Sequence, residues 1–322
     1  MKKKVIFTID VEGHVGNEPI DRLIYGVTND GECCGIDKIM DLLDVYKIRG
    51  LFFVDIAEAW HYGEKKVANV LSHIKDRGHD VGVHIHPDHM ADRSKLFLSD
   101  YTYEQQYTII KKCTDFYCNV LNETPVAFRA GKYGANSDTL RILEQLGYKT
   151  DFSQFYGQKW CHIQPPITKT HVKCTVNNLI EIPVTIYKSF SSVLYSRYDK
   201  LDASTPILEF KTVINQIIKN NSYDIIVLFA HSFSFLKWRR TPNNPRYSNK
   251  LYRKLEKQLK FIQNTESLQM ISLKEVVEMD EINNITGSDR IERLSGFYSW
   301  YALFDKCIKV FKSRIELKFR KL

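Results

Sequence analysis

Short apolar, β-rich runs alternate with segments of helical spacing from residue 3 to about residue 280, and that rhythm limits the folds open to the chain more than any single motif does. Eight runs read as strands: KVIFTID (4–10), GLFFVDIA (50–57), HDVGVHI (79–85), VAFRA (126–130), YKTDFS (148–153), LIEIPV (179–184), DIIVLFA (224–230) and LQMIS (268–272). Between them, residues 36–46, 67–77, 103–121, 137–146, 207–218 and 251–262 place apolar side chains three and four apart, the spacing of a single helix face. Strands apolar on both faces need cover on both, which favours a parallel sheet with helices outside it. Up to eight such units in this length suit a distorted (β/α) barrel of seven to eight strands better than an open sheet, so the expected class is α/β.

Three stretches interrupt the rhythm. Residues 154–178, 188–205 and 232–248 have no clear period and are rich in aromatic residues, Pro, Asn and Arg. Long βα loops are where barrels put substrate recognition, although a plain surface insertion has the same composition. Residues 1–280 therefore read as the barrel, 281–297 as a polar linker and 298–322 as a basic amphipathic helix. In that last segment Trp300, Tyr301, Phe304, Cys307, Ile308, Phe311, Ile315 and Phe319 recur in three- and four-residue steps, with lysines and arginines between them. Such a helix either makes peripheral contact with an anionic membrane surface or docks its apolar stripe on the barrel or a second subunit.

The basicity of the chain is local. Of the net charge of +8, an excess of five falls in residues 305–321, where seven Lys/Arg face only Asp305 and Glu316. The remainder does not make the body of the protein a nucleic-acid binder. A composition 43% hydrophobic and 12% aromatic supplies a core and excludes a disordered chain. The opening MKKKVIFTIDVEG is broken by Asp10 and Glu12 too early for a signal peptide or a membrane span. Seven cysteines, odd in number and without a C-x-x-C pair, indicate neither a disulfide framework nor a zinc ribbon, and a reducing, cytoplasmic setting is expected.

Four motifs carry chemistry. In FTIDVEG, strand alternation points Asp10 and Glu12 the same way at a strand's carboxyl end, where two carboxylates repel unless a cation or proton lies between them. HDVGVHIHPDHM offers His84, His86, Asp88 and His89 as ligands within six residues, a donor set that suits zinc, iron, cobalt or nickel. In FRAGKYGAN, Arg129 at a strand end can pair with a carboxylate, and Gly131 and Gly134 permit a tight turn whose N–H groups suit a developing oxyanion. FAHSFS ends the most apolar strand with His231, a proton donor suited to neutral pH. Each has an ordinary alternative when taken alone: a surface acid pair, a structural histidine, a plain turn.

The order FTID, LFFV, HDVGVH-x-H, FRAGKYG, FAH resembles the motif set of the polysaccharide deacetylase family, NodB-like and also called carbohydrate esterase family four, over roughly residues 3–280. The resemblance implies a distorted barrel, usually of seven strands, that hydrolyses N- or O-acetyl groups of sugars with a divalent metal, zinc first among the candidates. HIHPDH and RAGKYG look like bacterial members linked to lipopolysaccharide or surface-polysaccharide synthesis. On this likeness Asp10 matches the catalytic base. Val11 stands where the family has a metal-binding Asp, so Glu12 is the expected substitute. His84 matches the first metal histidine; Asp88 occupies the place of the second, which Asp88 or His86 fills, with His89 in reserve. Arg129 matches the partner of the base, Tyr133 the residue whose backbone N–H holds the oxyanion, His231 the general acid, and Asp151 an acid that orients it.

The implied substrate is a saccharide. In FSFLKWRR, Phe233, Phe235 and Trp238 offer faces for stacking on a sugar, and Arg239 with Arg240 a site for phosphate or carboxylate, so an anionic or lipid-linked sugar is compatible. The expected activity is metal-dependent N-deacetylation. The departures at Val11 and Asp88 leave open a glycan-binding pseudoenzyme, and the barrel also suits an amidase acting on a small non-sugar compound.

Overall fold

The structure, a computed structural model, describes residues 2–13, 20–163, 174–176, 178–191, 196–238, 245–279 and 291–294. In chain order the elements are β1 (Lys3–Val11), α1 (Ile36–Val45), β2 (Leu51–Asp55), α2 (Ala59–Tyr62), α3 (Glu64–Asp76), β3 (Asp80–Ile85), α4 (Tyr103–Leu121), β4 (Ala127–Ala130), α5 (Ser137–Gln145), β5 (Thr150–Asp151), β6 (Cys174–Val176) and β7 (Leu179–Glu181). There follow β8 (Ile186–Ser191), β9 (Ser196–Lys200), α6 (Ile207–Asn220), β10 (Ile225–His231), β11 (Leu236–Trp238), β12 (Pro245–Tyr247), α7 (Asn249–Gln263), β13 (Leu268–Met270) and α8 (Leu273–Val277).

Seven parallel strands run β10-β1-β2-β3-β4-β5-β7 in a curled sheet with helices outside it, a distorted (β/α) barrel. β13 adds to the start of β1, and β6 lies antiparallel beside β7. The path ends, β7 and β10, are bridged by irregular backbone. The Val227 N–H donates to Thr185 Oγ1 at 2.8 Å, Leu201 N–H to the Thr185 carbonyl at 3.1 Å, and Phe229 N–H to the Leu201 carbonyl at 3.1 Å. All eight expected strand runs lie in the sheet, with β5 trimmed to two residues. The stretches 188–205 and 232–248, which show no period, hold two short antiparallel hairpins, β8–β9 and β11–β12. Their strands are brief and interrupted by charged residues, so no apolar alternation marks them.

Alternation along each strand divides the core in two. Ile6, Leu51, Phe53, Ala127, Ile180, Ile225 and Val227 face inward, joined by Phe152, and Leu273 and Val276 of α8 pack with them. Val5, Phe7, Ile9, Val11, Phe52, Val54, Val81, Val83 and Phe128 face outward against Ile39, Leu43, Val70, Ile74 and Ile110 of the helices. Burying each such side chain contributes about 1.5–3 kcal/mol, and both faces are needed to hold the strands in register. Helix ends are fixed locally: Thr102 caps α4 with Gln105, Asn136 caps α5, and Asn122 (φ 52) ends α4 in the left-handed region.

Of the expected linker, residues 291–294 are described, and they dock on the barrel. Lys188 and residues 292 and 294 exchange backbone hydrogen bonds, and Leu294 is fully buried. The expected helix 298–322 lies outside the described residues, as do Arg239 and Arg240. Among the described residues no helix is long and apolar enough to cross a membrane, and Cys33, Cys34, Cys113, Cys118 and Cys161 are free thiols.

Candidate active site

The strand register gathers chemistry at the carboxyl edge of the sheet. Asp10 lies beside His231 across β1 and β10, Asp55 beside His84 across β2 and β3, and His84 beside Arg129 across β3 and β4. Thr8 and Asp10 share the inner face of β1, with Glu12 next in the alternation. Val11 points into the outer core and is fully buried there, so the alternation that removes it from the site presents Glu12 instead.

Arg129 is the deepest charge, with no exposed surface. Its Nη1 donates to Asp10 Oδ1 at 2.6 Å, its Nη2 to Thr8 Oγ1 at 3.0 Å, and its Nε to the Phe152 carbonyl at 3.3 Å. The guanidinium is packed between aromatic faces, 4.4 Å from the Phe53 ring centre and 5.4 Å from that of Phe229. Gly82 leaves the room: a Cβ there would stand 2.7 Å from Phe53 ring carbons. Asp10 thus has one oxygen held and the other available to the cavity it lines.

Glu12 Oε2 stands 2.8 Å from His86 Nε2 and 3.5 Å from His84 Nε2, and its Oε1 is 3.6 Å from His231 Nε2. His84 Nδ1 donates to the Arg129 carbonyl at 2.8 Å, which fixes the ring and turns Nε2 toward the carboxylate. That Nε2 is buried and has no hydrogen-bond partner. Burial opposes charge on Glu12, yet His86, His84 and His231 outweigh it and hold the carboxyl well below its usual range. Burial likewise opposes the His84 imidazolium, but Asp10, Glu12 and Asp55 push it up to about 9. Glu12, His84 and His86 bring one ligand atom each within 4.8 Å of one another. An orphaned buried nitrogen beside a carboxylate and a second imidazole fits a divalent cation.

The other histidine-motif residues form a second group with His86, one ligand atom each of His86, Asp88 and His89 lying within 4.8 Å of one another. Asp88 lies on the far side of His86, 3.9 Å from its Nδ1, and its second oxygen is 3.5 Å from Lys132 Nζ. His89 stacks on His86 with ring centres 4.9 Å apart and gives Nδ1 to Asp55 Oδ2 at 2.6 Å. Asp55 also accepts from the backbone N–H of His86 and Ala57, each at 3.2 Å. It is the residue sequence reading passed over, although it ends an apolar strand just as Asp10 does. Asp151 bonds to Ser153 at 2.6 Å and pairs with Glu181 rather than with His231. It holds the Arg129 strand instead, because the same Ser153 hydroxyl accepts from the Ala130 N–H at 2.8 Å.

After β4 the chain turns sharply, with Lys132 (φ 53) and Tyr133 (φ 62) in the left-handed region. Strain of this kind persists only where the surroundings hold it, and here the Tyr133 ring packs edge-on against Phe155 at 5.0 Å. His231 is one-third exposed, stacked on Phe233 at 4.8 Å and edge-on to Phe229 at 4.6 Å.

The cavity of about 500 Å³ is lined by Asp10, Glu12, His84, His86 and His231, by the aromatics Tyr133, Phe155, Trp160, Tyr198 and Phe229, and by Lys132, Arg197 and Lys200. Trp160 lies flat on Phe97, 5.7 Å between centres. These faces, rather than Phe235, which is fully buried against Tyr252, are the aromatic surfaces that line the cavity. Tyr133 belongs to the FRAGKYG motif and Phe229 to β10, but no sequence pattern marks Phe155, Trp160 and Tyr198, which come from a loop and from the β8–β9 hairpin.

Residues 16–150 match the family model for polysaccharide deacetylases. No curated protein matches the chain in sequence. Among solved structures, the chain is similar to a candidate polysaccharide deacetylase from Mycobacterium smegmatis, with 16% identity, a TM-score of 0.58, and 86% of this chain and 90% of that one covered. It is also similar to a family 4 carbohydrate esterase from Streptomyces lividans solved with acetate, at 10% identity, TM-score 0.43, and coverage of 83% and 91%. A family 4 pseudoenzyme from Bacillus anthracis aligns at 11% identity, TM-score 0.46, and coverage of 86% and 66%. The family match thus spans the segment from just after β1 to the start of β5, and the likeness to the Mycobacterium smegmatis structure is one of fold.

Proposed function

We propose that the chain is a metal-dependent N-deacetylase that removes acetyl from an N-acetylated sugar of a surface polysaccharide or lipopolysaccharide. The observation that carries this is the convergence of three kinds of group at one edge of the sheet. They are a donor set of Glu12, His84 and His86, a carboxylate held by a buried arginine, and a one-third exposed histidine on the adjoining strand. A pure binding site has no use for the second and third. The surface-polysaccharide setting follows the likeness of HIHPDH and RAGKYG to members of that subgroup.

A divalent cation on Glu12, His84 and His86, zinc first among those the donors suit, would supply Lewis acidity toward water and the acetyl carbonyl. Asp10, oriented by Arg129, accepts a proton from the attacking water at its second carboxylate oxygen. The water oxygen bonds to the carbonyl carbon, and the Tyr133 backbone N–H donates to the oxyanion that develops. His231 delivers its proton to the nitrogen as the carbon–nitrogen bond breaks, so the products are acetate and a free amine. His89 braces His86 by stacking on its ring, and Asp55 holds both through the His86 backbone N–H and His89 Nδ1.

Acetate release from a panel of N-acetylated sugars tests the reading, with the protein as purified, after chelation and after metal is returned. Release that is lost on chelation and restored by metal is expected. A protein that binds the sugars and frees no acetate is a pseudoenzyme, and activity confined to cyclic ureides or imides makes it a non-sugar amidase.

A further inference from the structure

We propose that Lys200 selects the substrate, and that the sugar it selects carries an anionic substituent, a carboxylate or a phosphate, besides its N-acetyl group. This rests on the deacetylase reading of the same cavity. The charges lining the cavity pair off with one exception among the described residues. Asp10 is held by Arg129, Glu12 by the imidazoles, and Asp199 by Arg197 at 3.4 Å. Lys132 faces Asp88 at 3.5 Å, and Asp202 Oδ1 accepts from the backbone N–H and hydroxyl of Ser204, both at 2.7 Å. Lys200 has no described carboxylate within 4.0 Å. Its Nζ donates to Tyr133 Oη at 3.0 Å and stands 3.3 Å from the centre of the Phe229 ring.

A phenol and an aromatic face replace only part of an ammonium's lost hydration. Burial accordingly pushes Lys200 down to about 8, with Asp10, Asp202 and Glu12 offsetting part of the loss and Arg129 adding to it. The ammonium stays charged at neutral pH and has no carboxylate within 4.0 Å among the described residues, and an anionic substrate brings one. Lys200 ends β9, in the hairpin inserted after β7, whereas Asp10, His84 and His231 belong to the parallel sheet. It therefore enters the cavity from a different element than the residues that act on the acetyl group. Phe229, on which the ammonium rests, is one inward-facing position before His231 on β10, which places the anion within the same sugar ring or on its neighbour.

The test uses metal-loaded wild type, Lys200→Met and Lys200→Arg, with N-acetylglucosamine, its uronic acid and its 1-phosphate as substrates. Acetate release is followed kinetically and sugar binding by calorimetry. Wild type should favour one acidic sugar over the neutral one by about tenfold or more in kcat/KM, the size of a charge-assisted hydrogen bond. Lys200→Met should bring that ratio to about one, chiefly through KM, and Lys200→Arg should restore part of it. Which acid is preferred separates carboxylate from phosphate. The proposal is overturned by a wild type that does not discriminate, by preference that survives Lys200→Met, or by equal loss of kcat on all three sugars, which would mean that Lys200 acts on the acetyl group. If no sugar yields acetate, the deacetylase reading fails. Calorimetry then decides the remainder: binding of an acidic sugar that depends on Lys200 upholds the anion site, and its absence overturns it.

Discussion

Gly131 follows Arg129 so closely that a Cβ on it would stand 2.6 Å from the Ile85 carbonyl oxygen and 2.7 Å from His86 Cγ. A methyl group there has to push the imidazole off Glu12. Gly131→Ala should therefore weaken metal binding by about 10- to 100-fold, the usual effect of disturbing a group that orients a ligand, and competition against a chromogenic chelator reads it. Unchanged affinity would remove His86 from the ligand set. His231 is exposed enough to be replaced without unfolding the chain. His231→Ala should lower kcat for N-acetyl substrates by about 10²–10⁴ and spare KM. An aryl acetate, whose leaving group departs without a proton, should lose far less. Equal losses on both would assign His231 to binding. Arg129 is another matter: Arg129→Ala leaves Asp10 buried without its cation, and denaturant titration should show a loss of about 3–5 kcal/mol.

Each strand of the sheet serves two cores, and the inner one gives way to polar groups toward its carboxyl end. β3 shows the arrangement: Val81, Val83 and Ile85 pack outward, while Gly82 and His84 face in. Gly82→Ala should cost about 1–3 kcal/mol by overpacking Phe53, measured as a shift in the urea midpoint at constant slope. Because Phe53 also supports Arg129, the same variant should reduce turnover; a variant of full stability would mean that Phe53 has room to move. At this scale most of the architecture was legible. The strand runs and the six long helices stand where period and apolar content place them, since burial on one or both faces leaves a repeating mark. The hairpins β8–β9 and β11–β12 left none, because short half-exposed strands are held by cross-strand backbone bonds that any sequence can make.

Across the whole molecule, the site is a cluster of buried acids and imidazoles whose charge balance depends on what occupies it. In the metal-free protein His84 is raised from 6.5 to about 9. Its folded-state value exceeds the unfolded one, so its contribution to stability is complete below about 6.5 and disappears as pH rises through about 9. Glu12, held well below 4.5, contributes above that value and fails as pH falls through its depressed one. The melting temperature of metal-free protein should thus decline between pH 6.5 and 9, and bound metal, which needs neutral imidazoles, should remove the decline. Identical profiles with and without metal would show that the ion binds elsewhere. The sequence by itself determined the parallel α/β architecture and the identity of Asp10, Glu12, His84, Arg129 and His231 as residues at strand ends, because strand alternation and apolar runs are local properties. Only the tertiary structure decided that His86 turns to Glu12 while Asp88 turns to Lys132, that Asp151 braces Ser153, and that Lys200 enters the cavity without a carboxylate partner among the described residues. Those outcomes depend on which strands become neighbours and how rings rotate when packed, and residues far apart in the chain record no trace of that in their order.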